Sequence, residues 1–362
     1  MYSIEEKFCI LLGERLLSAK KFYNILNSFE SIAEVIENFC TDITIAKIVG
    51  EDYAKLCDDW KSGKVDKIIE EMRANNVVAV TCFSDDFPQS LTYIDDKPYV
   101  LFCKGDVGLL NSDAIAVIGT RKASVYGRKV AKDFTYALAE NFTIVSGLAY
   151  GIDSIAHETT LEVGGKTIAV LGSGILHIYP TSNKSLAEKI AQNGGLVVSE
   201  YGLHETPMQY HFPHRNRIVS GLSHGLLVCQ APLKSGTNST VELALEQGKD
   251  IFVVPGEIFD AGFAGSNKLI KSMQGACVTT PKDILHYYNV NCIQAEKQSY
   301  QFTIEEQTIV NVLAENGQMT FDQLYVATQI PLADLNFMLA NLELRSIIAK
   351  LPGNVYRIYG DI

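Results

Sequence analysis

Seven short apolar runs, separated by glycine turns and helix-length segments, constrain the fold of this chain more than any other feature. They are Ile115–Ile118, Phe142–Val145, Thr167–Leu171, Leu196–Val198, Leu226–Cys229, Ile251–Val254 and Ala276–Val278. Short apolar runs that alternate with helices are typical of parallel strands buried on both faces. The pattern predicts an α/β fold with a doubly wound, mostly parallel sheet whose ligands bind at the carboxyl ends of the strands.

The first run opens the stretch Ala114–Gly127, which reads AIAVIGTRKASVYG. A buried strand that ends in a glycine turn and continues into a helix points backbone N–H groups and the helix N-terminus at one place. This geometry predicts an anion site, and Arg121 lies in the turn. The alternative is a structural turn in which Arg121 is merely solvated.

The loops after other runs carry further candidates. They include SGLAYGID at 146–153, Gly172-Ser173-Gly174, the basic segment FPHRNR at 212–217 and KSGTNST at 234–240. Glycine and other small residues on one edge of a sheet suit the close approach of a phosphate chain. No loop matches a Walker A motif or a G-x-G-x-x-G fingerprint, so neither ATP nor NAD is indicated and no cofactor is expected.

The individual polar residues also have simpler interpretations. Asp153 and His157 are four residues apart on one predicted helix and could simply form hydrogen bonds. Arg215 and Arg217 could pair with Glu200 or Glu205 in a structural network, and Lys184 could be a solvated lysine at a helix start. The remaining histidines lack ligand spacing, so no metal site is expected.

Outside the sheet, the sequence predicts two smaller modules. Residues 1–72 show apolar residues at helical spacing, which predicts a helical domain. The α/β domain follows at 73–290. In it, Asn76–Phe83 and Tyr99–Phe102 are predicted to add strands to the sheet. Residues 291–302 are a predicted linker. Three helices and a hairpin at 303–362 predict a winged helix. Its third helix is poor in basic residues, which favours binding to protein or structural packing over DNA reading.

The composition limits where the chain works and what it binds. The chain has 362 residues, a net charge of −11 and eight scattered cysteines that indicate free thiols. Residues 1–110 carry −7, 111–290 are neutral and 301–362 carry −4. A local basic pocket in the middle is compatible with this balance, whereas an extended basic surface is not. Without a signal peptide or an apolar run of about 18 residues, a cytoplasmic protein with no membrane partner is expected.

Several motifs in order resemble the DprA/Smf family (DNA processing protein A). They are GTRKASVYG, SGLAYGIDSIAH, TIAVLGSGILHIYPTSN, SEYG, FPHRNRIVSG, SGTNSTVELALEQGKDIFVVPG and GSNKLI. The resemblance implies an extended Rossmann-like domain between an N-terminal helical domain of the SAM or helix-hairpin-helix type and a C-terminal winged helix. It also implies a non-enzymatic, usually homodimeric protein that binds and protects single-stranded DNA in natural transformation and loads the RecA recombinase.

The resemblance further implies a set of DNA-binding and phosphate-binding residues. Carried over position by position, these are Gly119, Thr120, Arg121, Ser146, Gly147, Phe212, Arg215, Asn216, Arg217, Ser235, Gly236 and Thr240. The family often has a basic residue directly after the Tyr-Pro pair. This chain has Thr181 at that position, so Lys184 would have to take the place of that basic residue. Asn238 and Val241 also depart from the family pattern and bear on affinity more than on fold.

Two other functions remain as alternatives. The first is a phosphoribohydrolase of the lysine-decarboxylase-like type, which shares the sheet and has a P-G-G-x-G-T-x-x-E loop. In this chain Thr240 stands where that loop has its glutamate, and Glu242 lies on a different helical face, so a general acid or base is not in place. The second is a nucleotide sensor that does not act on DNA and needs no arginine-rich rim.

Overall fold

The structure, a computed structural model, describes residues 2–290, 302–345 and 347–358. The chain divides into two compact units, Met1–Asn291 and Cys292–Ile362. The predicted linker lies outside the described residues except for Phe302. The predicted boundary after residue 72 falls inside the first unit, because the N-terminal helices and one face of the sheet share an apolar cluster. The domain boundaries therefore stay a prediction.

Six helices precede the sheet. They are α1 (Ile4–Glu14), α2 (Ala19–Leu26), α3 (Ile32–Asn38), α4 (Ile43–Val49), α5 (Tyr53–Lys61) and α6 (Lys64–Ala74), with a 3-10 turn at Gly50–Asp52. The first four begin after a residue whose side chain accepts a backbone N–H of the first turn, namely Ser3, Ser18, Ser31 and Asp42. Such N-caps replace hydrogen bonds that the helix itself cannot make.

A nine-stranded sheet follows. Its strands are β1 (Val78–Thr81), β2 (Val100–Gly105), β3 (Ala114–Gly119), β4 (Thr143–Ser146), β5 (Thr167–Val170), β6 (Leu196–Ser199), β7 (Gly225–Gln230), β8 (Asp250–Val253) and β9 (Ala276–Cys277). Their order is β1-β2-β6-β5-β4-β3-β7-β8-β9. The seven strands from β6 to β9 are parallel, and β1 and β2 join antiparallel at the β6 edge. All of the predicted apolar runs form strands, and the predicted α/β fold is confirmed.

Eight helices connect these strands or follow them. They are α7 (Gln89–Thr92), α8 (Val125–Leu138), α9 (Ile152–Glu162), α10 (Lys184–Gln192), α11 (His211–Gly221), α12 (Gly236–Glu246), α13 (Ala264–Lys271) and α14 (Pro281–Tyr287), with 3-10 turns at Val107–Asn111 and Thr181–Asn183. From β3 the chain moves outward through β4, β5 and β6, then returns to β7 on the other side of β3. The loops after β3 and β7 diverge at this reversal and leave a crevice, the usual ligand position in such sheets.

The described residues of the second unit form three helices and a small antiparallel sheet. Its elements are α15 (Ile304–Asn316), β10 (Gln318–Thr320), α16 (Phe321–Thr328), α17 (Leu332–Leu344), β11 (Ile348–Leu351) and β12 (Val355–Ile358). The strand order is β10-β12-β11. Thr303 and Glu306 form a capping box at the start of α15. This is the element order predicted for a winged helix, and its role in binding protein or packing stays a prediction.

Candidate functional site

An open cleft of about 740 Å³ lies in the crevice at the carboxyl ends of β3, β4 and β7. Most of the predicted site residues line this cleft. They are Gly119, Thr120, Arg121, Gly147, Phe212, Arg215, Asn216, Ser235, Gly236 and Thr240. Residues far apart in the chain therefore meet at one place, because parallel strands end on the same edge of the sheet.

The turn after β3 is held in place by its backbone. The Thr120 N–H donates to the Gln230 carbonyl (2.8 Å), and the Thr120 carbonyl accepts from the Ile152 N–H (3.3 Å). Gly151 has a φ of +79°, and a Cβ atom there would lie 2.4 Å from the Thr120 carbonyl oxygen. Only glycine fits this close approach, which fixes the loop that carries Arg121.

Arg121 is exposed at the tip of this turn. Its guanidinium carbon lies 5.6 Å from the centre of the Phe212 ring. Within the described ranges, Arg121 forms no ion pair. A guanidinium that rests on an aromatic ring and lacks an acidic partner keeps its forked N–H groups available for an anion.

The N-terminus of α12 faces the same cleft. Ser235 is the N-cap, and its Oγ accepts from the Thr237 N–H (3.1 Å). Gly236 and Thr240 line the cleft beside it, and the exposed Lys234 precedes them. Because the N-terminus of a helix carries a partial positive charge, this wall also favours an anion.

Arg215 forms the floor of the cleft and is buried. Its Nη1 donates to the carbonyls of Gly147 (2.7 Å) and Val170, and its Nε donates to Asn216 Oδ1 (3.1 Å). A Cβ atom on Gly147 would lie 2.5 Å from Arg215 Nη2, so glycine is required there. Burial lowers the pKa of Arg215 to about 10, which still leaves the guanidinium charged at neutral pH.

Asp153 is the one acidic residue among those that line the cleft. Its Oδ2 accepts from the N–H groups of Gly147 (3.2 Å) and Ala149 (3.4 Å). Burial raises the pKa of Asp153, and the charge of Arg215 opposes that effect. These contacts match the simpler interpretation, in which Asp153 forms hydrogen bonds that shape the loop.

Aromatic side chains form one rim. The rings of Tyr179 and Phe212 have centroids 5.6 Å apart and are inclined by 48°. Tyr179 is 42% exposed, so its ring faces the opening and not the core. Rings at the mouth of a cationic cleft can stack on bases whose phosphates lie inside it.

Three predicted site residues lie away from the cleft. Ser146 is buried and donates its hydroxyl to the Val117 carbonyl (2.7 Å). Lys184 begins α10 and lines a different cavity, together with Glu188. The Arg217 side chain is 5% exposed and makes two 2.6 Å hydrogen bonds to the Glu200 carboxylate. For Arg217 the structure therefore has the ion pair that the alternative interpretation named.

Arg217 belongs to a network of four charged side chains. His214 Nε2 lies 2.6 Å from Asp96 Oδ2, and its Nδ1 lies 3.2 Å from Glu200 Oε1. Hydrogen bonds to Asp96 and Glu200 raise the pKa of His214 to about 9. Burial alone would raise the pKa of the Glu200 carboxyl group. The positive charges of Arg217 and His214, and their hydrogen bonds to it, have a larger effect and lower that pKa to about 2.

This network predicts a pH dependence of stability. The raised pKa of His214 adds stability that is complete below pH 6.5 and disappears as the pH rises through about 9. The lowered pKa of Glu200 adds stability that is present above pH 4.5 and disappears as the pH falls towards about 2. We expect the urea midpoint of the parent to fall between pH 6.5 and pH 9.5, and that of His214→Gln to fall less. Equal slopes for the two proteins would contradict the prediction.

The sequence prediction missed several residues of the cleft, chiefly Lys122, Lys234, Tyr179 and Gln209. Each lies within three residues of a predicted site residue or within a motif already noted. The sequence does not show which way these side chains point, because a residue next to a glycine turn can face either the ligand or the solvent. With Arg121 and Arg215, the two lysines give the lining four basic side chains against one acidic side chain.

Across the parts of the chain that the structure describes, no three or more His, Cys, Asp or Glu side chains lie together as metal ligands would. Among the helices of those same parts, none combines the length and the apolar character needed to cross a bilayer.

Comparison with known proteins adds to this geometry. Residues 78–289 match the family model described as DNA recombination-mediator protein A. The chain is 38% identical to Protein Smf of Escherichia coli over 285 residues, which are 76% of each chain. It is 45% identical to DNA processing protein DprA of Streptococcus pneumoniae over 202 residues, which are 56% of this chain and 71% of that one.

Solved structures give the same result. The X-ray structure of DNA processing protein A from Streptococcus pneumoniae aligns with a TM-score of 0.65 at 34% identity, covering 79% of this chain and 98% of that one. The structure of DNA processing protein A from Helicobacter pylori, a protein with a described single-stranded DNA binding mode, aligns with a TM-score of 0.54 at 32% identity. It covers 59% of this chain and 95% of that one.

Proposed function

The chain belongs to the DNA recombination-mediator protein A family, and we propose that its cleft binds single-stranded DNA. In this proposal the protein acts in the cytoplasm during natural transformation, where it protects incoming strands and loads the RecA recombinase onto them as a homodimer. The family match supports the role in DNA processing, and the shape and charge of the cleft support the ligand.

The observation that carries the proposal is the exposed guanidinium of Arg121 above the Phe212 ring. Arginine binds a phosphate through two parallel N–H groups, and the N-terminus of α12, which lines the same cleft, adds a partial positive charge. A phosphate in the cleft leaves its base next to Phe212 and Tyr179. Bases can stack on these rings only when they are free of a duplex, so single strands are preferred.

We propose that the protein binds DNA without hydrolysing it. Among the residues that line the cleft, the one carboxylate is Asp153, and it already accepts two backbone N–H groups. Glu242 is exposed on α12 and does not line the cleft. A phosphoribohydrolase needs a positioned general acid or base, so this alternative has less support. An assay for free base released from nucleoside monophosphates tests it, and measurable turnover would overturn this part of the proposal.

The ligand itself is tested by fluorescence anisotropy with labelled single-stranded and double-stranded oligonucleotides over a salt series. We expect tighter binding to the single strand, and an affinity that falls steeply with salt because several phosphates are neutralised. A nucleotide sensor would instead bind mononucleotides as tightly as the oligonucleotide. Equal affinity for duplex and single strand would contradict the proposal.

The partners need separate measurements. Analytical ultracentrifugation of the full chain tests the homodimer, for which a mass of about twice 39.9 kDa is expected. RecA loading is tested by RecA-dependent strand exchange with and without the protein. A monomeric mass would overturn the proposed homodimer, and an unchanged rate of strand exchange would overturn the proposed RecA loading. Neither result would contradict DNA binding in the cleft.

A further inference from the structure

A second cavity of about 440 Å³ lies next to the cleft. It is enclosed by the turn between α1 and α2, the segment before β2 and the start of α11. Five aromatic side chains dominate its lining, namely Tyr99, Tyr201, Tyr210, His211 and His214. We call it the tyrosine cavity. The DNA site described above uses none of these residues.

The start of α11 separates the tyrosine cavity from the cleft. Gln209, Phe212 and Asn216 line the cleft, whereas Tyr210 and His211 line the cavity. Each residue of a helix is rotated by about 100° from the last, so adjacent residues at this helix start face two different spaces. A strand that leaves the cleft past Gln209 therefore meets the mouth of the tyrosine cavity at Tyr210.

The tyrosine cavity has an aromatic floor and an accessible mouth. Tyr99, Tyr201 and His211 are buried, and the rings of Tyr201 and His211 stack with centroids 4.1 Å apart. At the mouth, Tyr210 is 66% exposed and Leu16 is 42% exposed. A planar ring that entered would exchange water for aromatic and aliphatic surface on both of its faces.

The charged groups at one end of the tyrosine cavity neutralise one another. Asp96, Glu200 and His214 line it, and Arg217 lies behind Glu200 at 2.6 Å. Two carboxylates thus face one imidazolium and one guanidinium, which leaves no net charge to attract a phosphate or a free cation. The half-exposed Asp96 still offers a hydrogen-bond acceptor. A neutral planar ring with N–H donors at its edge is the ligand that fits this combination.

We propose that the tyrosine cavity binds a second nucleobase of the same DNA strand, whose phosphate is held in the cleft. This inference rests on the proposed function and names a further part of that site. The backbone of the strand would cross the start of α11, which is the positive end of the helix dipole. The base would stack on Tyr210 at the mouth, and its edge would point towards Asp96.

The test is a scan of a single-stranded oligonucleotide in which one base at a time is replaced by fluorescent 2-aminopurine. Stacking on an aromatic side chain quenches this base. The proteins compared are the parent, Tyr210→Ala, Tyr210→Phe and Tyr136→Ala. The last variant removes another exposed tyrosine, which lies on α8 and lines neither the cleft nor the tyrosine cavity. Since Tyr210 is exposed, its substitution leaves the folded core intact.

We expect two separate quenched positions in the parent, of which Tyr210→Ala loses only the second. Tyr210→Phe retains both, because the ring provides the stacking. Tyr210→Ala should also weaken binding of the full oligonucleotide about tenfold, while Tyr136→Ala has no effect. One quenched position in the parent, or two that persist in Tyr210→Ala, would overturn the inference while leaving the cleft as a DNA site. Failure of every oligonucleotide to bind would instead overturn the proposed function.

Discussion

Arg121→Ala is expected to weaken the binding of single-stranded DNA by roughly ten- to a hundredfold. The guanidinium is exposed in the cleft and rests on the Phe212 ring. A hydrogen bond to a charged group contributes about 1.5–3 kcal/mol, which corresponds to this loss of affinity. Anisotropy with a labelled single strand measures it, and the slope of log affinity against log salt should become shallower by about one unit, because one phosphate contact is gone.

Two variants make this result specific. Arg73→Ala removes an exposed arginine on α6 that does not line the cleft, and should leave affinity and salt slope unchanged. Arg121→Lys keeps the charge but loses the planar fork, so its affinity should fall between those of the parent and Arg121→Ala. If Arg121→Ala binds like the parent, the guanidinium is merely solvated and the phosphate site must lie elsewhere.

Arg217→Met is expected to lower the free energy of unfolding by about 3–5 kcal/mol, the usual cost of removing one member of a buried ion pair. The side chains of Arg217 and Glu200 are 5% and 10% exposed, and their charged atoms lie 2.6 Å apart. Without the guanidinium, the Glu200 carboxylate stays buried with His214 as its remaining charged partner. Urea unfolding monitored by Trp60, the single tryptophan, measures the loss within the first unit.

The double variant Glu200→Gln with Arg217→Met is the matched control. It removes the uncompensated carboxylate as well, and should therefore recover part of the lost stability. The experiment also decides between two roles for Arg217, because the family resemblance implies a DNA contact. Unchanged stability together with a large loss of DNA affinity in Arg217→Met would show that Arg217 binds DNA after all.

Much of the cleft could be predicted from the sequence because its parts are local. A turn such as Gly119-Thr120-Arg121 follows a buried strand directly, and parallel strands place all such turns on one edge. The aromatic and basic character of the segment from Phe212 to Arg217 is equally visible in the sequence. The resemblance to a family then supplied the identity of the ligand, which local pattern alone left open.

The orientation of individual side chains could not be predicted in this way. Arg215 and Arg217 are two residues apart on one helix, yet one forms the floor of the cleft and the other an ion pair outside it. Lys184 is close in sequence to Tyr179, but the 3-10 turn at Thr181–Asn183 lies between them, and Lys184 lines another cavity. Gly147 is needed only because a buried guanidinium lies against it.

The strands, the glycine turns and the edge of the sheet where they meet follow from the sequence alone, because these features depend on apolar periodicity and on residues adjacent in the chain. Which basic residues face the cleft, and which are neutralised by acidic partners, depends on how the elements pack together. The acidic partners of Arg217 are Glu200 and Asp96, which are 17 and 121 residues away. Such pairs form only when α11 packs against the end of β6 and the segment before β2, and no local pattern records that packing.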